Sequence, residues 1–143
     1  MGEAAENRLI IGISGASGAR LGVRMLDACR ELGVESHLVV TKAAAMTLVD
    51  VTDLTLADVN ARADVVHKRS DVGAAIASGS YRTRGMIVAP CSVRTMSEIA
   101  TGVTSTLLTR AADVVLKERR PLVLMVRETP LHLGHLRTMT AVT

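Results

Sequence analysis

The sequence predicts an α/β fold: one domain, built as a three-layer α/β/α sandwich around a parallel sheet. Three observations predict it. Short apolar runs stand at 9–13 (LIIGI), 37–40 (HLVV), 86–89 (MIVA) and 122–126 (LVLMV), as expected of strands covered on both faces. Segments of helical spacing separate these runs, so strands and helices alternate. The 143 residues suffice for a single core.

Each element has its own grounds. LIIGI is the first buried strand. Over 19–32, Leu21, Met25, Ala28, Cys29 and Leu32 recur at helical spacing, and Gly33 follows as a natural C′ residue. HLVV is the second strand. Thr41 opens an alanine-rich helix over 42–50, and Thr55 with Asp58 caps a short third helix. The stretch 67–85 is rich in turn formers and is expected to be mostly loop. MIVA is a third strand, halted by Pro90. A helix or a broken pair of helices follows over 95–118, with Leu107, Leu108, Ala111, Ala112, Val115 and Leu116 on one side. Pro121 turns the chain into the fourth strand, RETP (127–130) is a loop, and 131–143 has helical character. Residues 1–8 are expected to form a flexible tail ahead of a domain at 9–143.

Composition narrows the function. Apolar residues make up 48% of the chain, yet it has no Trp, no Phe and one Tyr, so the core must be aliphatic. A net charge of +3 without basic tails or interleaved aromatics argues against nucleic-acid binding and suits a small anionic ligand. No signal-peptide layout and no apolar run of roughly 20 residues is present, so a membrane role is not expected. Cys29 and Cys91 form no disulfide framework, which fits a reducing, cytoplasmic setting.

Right-handed crossovers bring all the strand-to-helix loops to one sheet edge, where ligands bind in such folds. GISGASGA departs from the dinucleotide fingerprint at Ser14 and lacks the Gly-Lys-Ser/Thr of a Walker loop. Its GxxGxxG spacing lets backbone N–H groups approach a phosphate at a helix N-terminus. The same glycines also suit a tight turn. In PCSVRT, Ser92 and Thr95 can cap the next helix or bond a ligand, and Cys91 fits a small buried hydrophobe. Arg127 and Glu128 could form an exposed ion pair, but four loops delivering hydroxyls and charge to one edge favour a site. HLGH (132–135) lacks a third ligand nearby and fits a solvated helix face better than zinc.

GISGASGA, SGSYRTRGMIVAPCSVRT, LLTRAADVVLKERRPLVL and VRETPLHLGHL together resemble the UbiX-type flavin prenyltransferases, part of the homo-oligomeric flavin-containing decarboxylase-like flavoproteins. The resemblance runs from about Arg8 to Met139. It implies a Rossmann-like fold. It also implies joining a dimethylallyl group from dimethylallyl phosphate to N5 and C6 of reduced FMN. The product, prenylated FMN, serves UbiD-type decarboxylases of ubiquinone biosynthesis or aryl-acid decarboxylation. Carried over by position, Gly15, Ala16, Ser17, Thr41, Ser92, Val93, Arg94, Thr95 and Arg127 are expected against FMN. Ser17, Arg110, Lys117 and Glu128 are expected in catalysis, the last three at the prenyl phosphate or in proton transfer. No metal is implied. Homo-oligomers, commonly dodecamers with shared sites, are implied.

This chain departs from the family pattern at Val51-Thr52-Asp53, where Glu-Thr-Asp is usual, and in ending at Thr143, which suggests a truncated C-terminus. Both departures keep a second reading open, an FMN-binding accessory or carrier protein without prenyl transfer. A cysteine-decarboxylase reading fits worse, because PCSVRT replaces an Asn-containing segment and 41–66 holds no His.

Overall fold

The apolar runs do become a parallel sheet, seen in a computed structural model that describes residues 7–143. β1 (Arg8–Ile13) lies at its centre, between β2 (Glu35–Val40) and β4 (Met86–Cys91), with β3 (Val65–His67) and β5 (Leu122–Val126) at the edges. All four pairings are parallel. The order β3-β2-β1-β4-β5 reverses direction at β1/β4, the crevice where a doubly wound sheet takes its ligand.

β3 was not among the expected strands. Its three residues stand in polar surroundings, and pairing with β2 defines it. β4 also runs past its expected stop at Pro90 to Cys91. The ladder to β5 shifts register between Val88 and Cys91, and such an irregularity tolerates a residue without an N–H.

Among the described residues, six helices cover the sheet: α1 (Ala19–Glu31), α2 (Lys42–Val51), α3 (Leu56–Asn60), α4 (Val93–Thr101), α5 (Leu107–Lys117) and α6 (Leu133–Val142). Thr41 caps α2 through the Ala44 N–H, and Thr55 with Asp58 forms the expected capping box on α3. The segment 95–118 is a broken pair: α4 ends at Gly102, whose φ of 76° is left-handed. Two expected faces need correction. α1 buries Ala19, Gly22, Val23, Leu26 and Cys29, while Leu21 and Leu32 face outward. The small residues turn inward because a side chain at Gly22 would collide with the Ala89 carbonyl of β4. On α5, Leu116 is exposed, one residue past the last buried position, Val115.

The core has two halves, both aliphatic. One packs Ile11, Ile13 and Leu38 under α1 and α2; the other packs Ile10, Val39 and Val88 under α5, Met96 and Ile76. The β3-to-β4 crossover is irregular, as expected, apart from a single 3₁₀ turn at Ala75–Ala77. Of the expected flexible tail, residues 1–6 lie outside the described residues. The last two are tied down: Arg8 opens β1, and the carbonyl of Asn7, in the turn before it, accepts the Glu35 N–H at 2.9 Å. α6 has no fully buried residue, and Leu133 and Leu136 stand about half exposed. No helix of the described residues is long and apolar enough to cross a membrane.

Candidate functional site

At the β1/β4 crevice one buried hydroxyl joins two loops. Ser14 Oγ donates to the Pro90 carbonyl and accepts the Ser92 N–H, both at 2.8 Å, with 1% of Ser14 exposed. The residue that breaks the dinucleotide fingerprint therefore ties the glycine turn to the segment after β4. Gly15 follows it against α2. A Cβ there would lie 2.5 Å from Ala43 Cβ, so only glycine lets the turn and the helix approach. Gly18 closes the turn with φ of 101° and leaves the α1 N-terminus without a side-chain cap.

Beside this turn opens a cavity of about 390 Å³. Three helices begin on it. Thr41, Ser92 and Thr106, the caps of α2, α4 and α5, all line it, and each hydroxyl accepts an N–H from its own first turn. Helix N-termini carry partial positive charge and spare N–H donors, so three of them on one void make its electrostatics favourable to an anion. Lys42, Arg69 and Arg94 add cations, and Ser70, Thr95 and Ser105 add polar groups. Glu98 is the cavity's carboxylate among the described residues, held by Arg94 Nε at 3.0 Å.

The structure therefore brings together Gly15, Thr41, Ser92, Arg94 and Thr95 of the expected cofactor contacts. Ala16 and Ser17 lie on the turn beside the cavity without lining it, and so does Val93 at the start of α4. Arg127 and Glu128 follow β5 and are exposed; the Arg127 N–H donates to the Cys91 carbonyl at 3.2 Å, and Glu128 Oε1 accepts the Thr129 N–H. They form no ion pair with each other among the described residues.

Arg110 and Lys117 are not brought to this cavity. They stand seven residues apart on the outward face of α5, about 10 Å along its axis, and Lys117 Nζ pairs with Glu118 at 3.6 Å. Val51 lies at the exposed end of α2 and does not line the cavity.

Sequence reasoning missed Lys42, Arg69, Ser70, Glu98, Ser105 and Thr106. Thr106 carried a legible signal, a capping residue three before Thr109. Arg69 and Ser70 come from the irregular crossover and had none. Cys91 is the buried hydrophobe expected, its thiol pushed up to about 12 chiefly by burial. His132 caps α6, its Nδ1 accepting the His135 N–H, and no group of three metal-ligating side chains occurs among the described residues.

Comparison with known proteins identifies what this crevice belongs to. A model of the family described as Flavoprotein matches residues 2–140. Flavin prenyltransferase UbiX of Escherichia coli (strain K12) is 60% identical over 134 residues, 93% of this chain and 71% of that protein. Among solved structures, AnUbiX (PadA1) in complex with FMN and dimethylallyl pyrophosphate superposes with a TM-score of 0.94 at 48% identity, covering 96% of this chain and 73% of that one. A dodecameric FMN-dependent UbiX-like decarboxylase from Escherichia coli O157:H7 gives 0.92 at 51% identity, covering 94% and 74%. Matched over nearly its whole length, at 60% identity to one such enzyme and with a TM-score of 0.94 to another, the chain belongs to the flavoprotein family and, within it, to the UbiX flavin prenyltransferases.

Proposed function

We propose that this protein is a flavin prenyltransferase that holds FMN and a dimethylallyl phosphate at the β1/β4 crevice and makes prenylated FMN. One observation carries the reading: three helix N-termini and three cations enclose a cavity beside the glycine turn, in a chain 60% identical to a UbiX enzyme.

The donor set fits FMN. A phosphate monoester needs N–H donors and fixed cations, which the α2, α4 and α5 starts supply with Lys42, Arg69 and Arg94. A flat ring can lie against backbone, and Gly15 is part of the cavity wall. Thr41, Ser92 and Thr95 would bond the flavin from the cavity wall, with Gly15, Ala16, Ser17, Val93, Arg94 and Arg127 completing the contacts. Bound reduced FMN supplies N5 and C6 as the positions that receive the prenyl carbons.

The remaining work falls to the protein. As the allylic C–O bond breaks, charge grows on the departing phosphate, so a guanidinium or ammonium touching it stabilises the transition state more than the ground state. Arg110 and Lys117 are suited to this role in a neighbouring copy, since α5 turns them away from their own cavity. Ring closure releases a proton, and Glu128 or a phosphate oxygen is suited to take it. The reading extends to a homo-oligomer, a dodecamer by analogy with the UbiX-like relative, working in the cytoplasm and passing its product to a UbiD-type decarboxylase.

The test is to incubate the protein with reduced FMN and dimethylallyl phosphate and weigh the flavin it retains. A flavin heavier by one dimethylallyl unit is the expected result. Unmodified FMN would favour the carrier reading, and no retained flavin would overturn both.

A further inference from the structure

A cluster of titratable groups lies outside the cavity and has no part in the chemistry above. His37 on β2 is buried, with 1% of its surface exposed. Its Nε2 meets Glu35 Oε1 at 2.7 Å and its Nδ1 meets His67 Nε2 of β3 at 3.0 Å. The rings stack with centroids 5.3 Å apart. Tyr81 of the crossover sets its ring against His37 at 5.7 Å, and Arg8 of β1 covers Tyr81 at 4.3 Å. One network therefore ties β1, β2, β3 and the crossover together.

Its position matters because the chain beyond His67 runs straight to the cavity. Two and three residues on, Arg69 and Ser70 form part of the cavity wall, and the Arg69 carbonyl accepts the Leu107 N–H at 3.1 Å. β3 has only three residues and, among the described residues, pairs only with β2, so its ladder is a weak anchor. The imidazole bond is a second anchor at the point where the chain leaves the sheet for the cavity.

Proton counting makes that anchor conditional. An ionised Glu35 only accepts, so His37 Nε2 carries a proton. The line between the rings then has room for one proton. With both rings neutral, His67 Nε2–H donates to His37 Nδ1. With one added proton, one ring is a cation and the bond survives. With two, a pair of N–H groups face each other at 3.0 Å and the bond is gone.

The charged groups that act on the pair are Glu35, with Arg8 reaching it at 3.8 Å, and Asp71; Lys68 and Arg69 follow in the chain, Tyr81 is the other titratable neighbour, and the side chains that α5 buries carry no titratable group. Burial, and then His37, hold the His67 imidazole below its ordinary value, against the opposing pull of Asp71. A depressed histidine contributes stability above about pH 6.5 that is lost as pH falls through its folded value.

We propose that His37 and His67 are positioning residues for the cavity: their shared hydrogen bond holds the end of β3 so that Arg69 and Ser70 stay on the wall, and a second proton releases them. The consequence for flavin binding rests on the FMN reading; the structural release does not.

The test compares wild type with His67→Gln, whose non-titrating amide can offer its N–H to a neutral His37 Nδ1 or its carbonyl to a protonated one, so that the bond survives either state. In the flavin-free protein, hydrogen exchange of 68–85, corrected for its intrinsic pH dependence, should rise as pH falls from about 6.5 to about 4.5 in wild type and stay level in the variant. Equal behaviour of the two proteins would overturn the proposal. FMN affinity by titration calorimetry should fall about fivefold more in wild type than in the variant over that range, the equivalent of one hydrogen bond. The flavin phosphate titrates equally in both, so the difference between the curves is what counts. His67→Ala should show the weaker affinity already at neutral pH, while His67→Gln retains it. Wild type that binds no FMN but shows the exchange difference would refute the flavin reading and leave the anchor standing.

Discussion

Replacing Ser14 by alanine removes one oxygen from the crevice, and the structure fixes what that costs. Pro90 keeps a partner, because its carbonyl also accepts the Ser14 N–H at 3.2 Å. The Ser92 N–H does not: it loses its acceptor at 2.8 Å in a part-buried position. An orphaned buried donor costs about 1–3 kcal/mol. Unfolding entropy of about 2.1 cal/mol/K per residue sums to about 0.3 kcal/mol/K over this chain, so a loss of about 2 kcal/mol lowers Tm by about 7 °C. The assay is thermal melting followed by far-UV circular dichroism, with FMN affinity measured in parallel. Thr55→Ala is the control. It removes the α3 cap, away from the cavity, for about 1 kcal/mol. Ser14→Ala should weaken FMN binding as well as stability, whereas Thr55→Ala should lower Tm alone. A Ser14→Ala protein melting within about 1 °C of wild type would refute the account of Ser14 as the stitch between the two loops.

The geometry sets three further outcomes. Gly15→Ala forces its methyl onto Ala43 and should abolish FMN binding measured by calorimetry, while Gly15→Ala with Ala43→Gly should recover much of it. Lys42→Gln and Arg69→Gln should each weaken FMN about tenfold at low salt and flatten its salt dependence; an unchanged affinity would remove that cation from the site. Cys91 should resist thiol reagents in the native state. Its pKa is raised in the fold, so the unfolded chain ionises first, and this residue's contribution drains as pH climbs above about 9, a slope that Cys91→Ala should remove from alkaline melting curves.

The fold was legible where burial imposes a pattern. Four of the five strands read as apolar runs because a parallel sheet hides both faces. β3 escaped because Val65, Val66 and His67 are too few to form a pattern, and its place is set by partners 28 residues upstream. The inward face of α1 was misread for a similar reason: Gly22 has no side chain to mark it as apolar, yet it packs against the sheet because Ala89 and Ile13 leave no room for anything larger. The site divides the same way. Thr41 and Ser92 were readable as local caps, and Gly15 as a turn glycine. Arg69, Ser70 and Glu98 reach the cavity through tertiary placement alone, which no local spacing records. The opposite holds for Arg110 and Lys117: the resemblance singled them out, and only the helix geometry shows that they point outward.

That outward face of α5 limits what a lone chain can do. If Arg110 and Lys117 act on the prenyl phosphate as proposed, they do so across a boundary between copies, and each molecule would carry two halves belonging to different reaction centres. Turnover per subunit should then fall on dilution as assemblies come apart, even where every chain stays folded. Mixing an Arg110→Ala protein with a Gly15→Ala protein, each inert by itself, should restore some turnover by pairing an intact half from one with an intact half from the other.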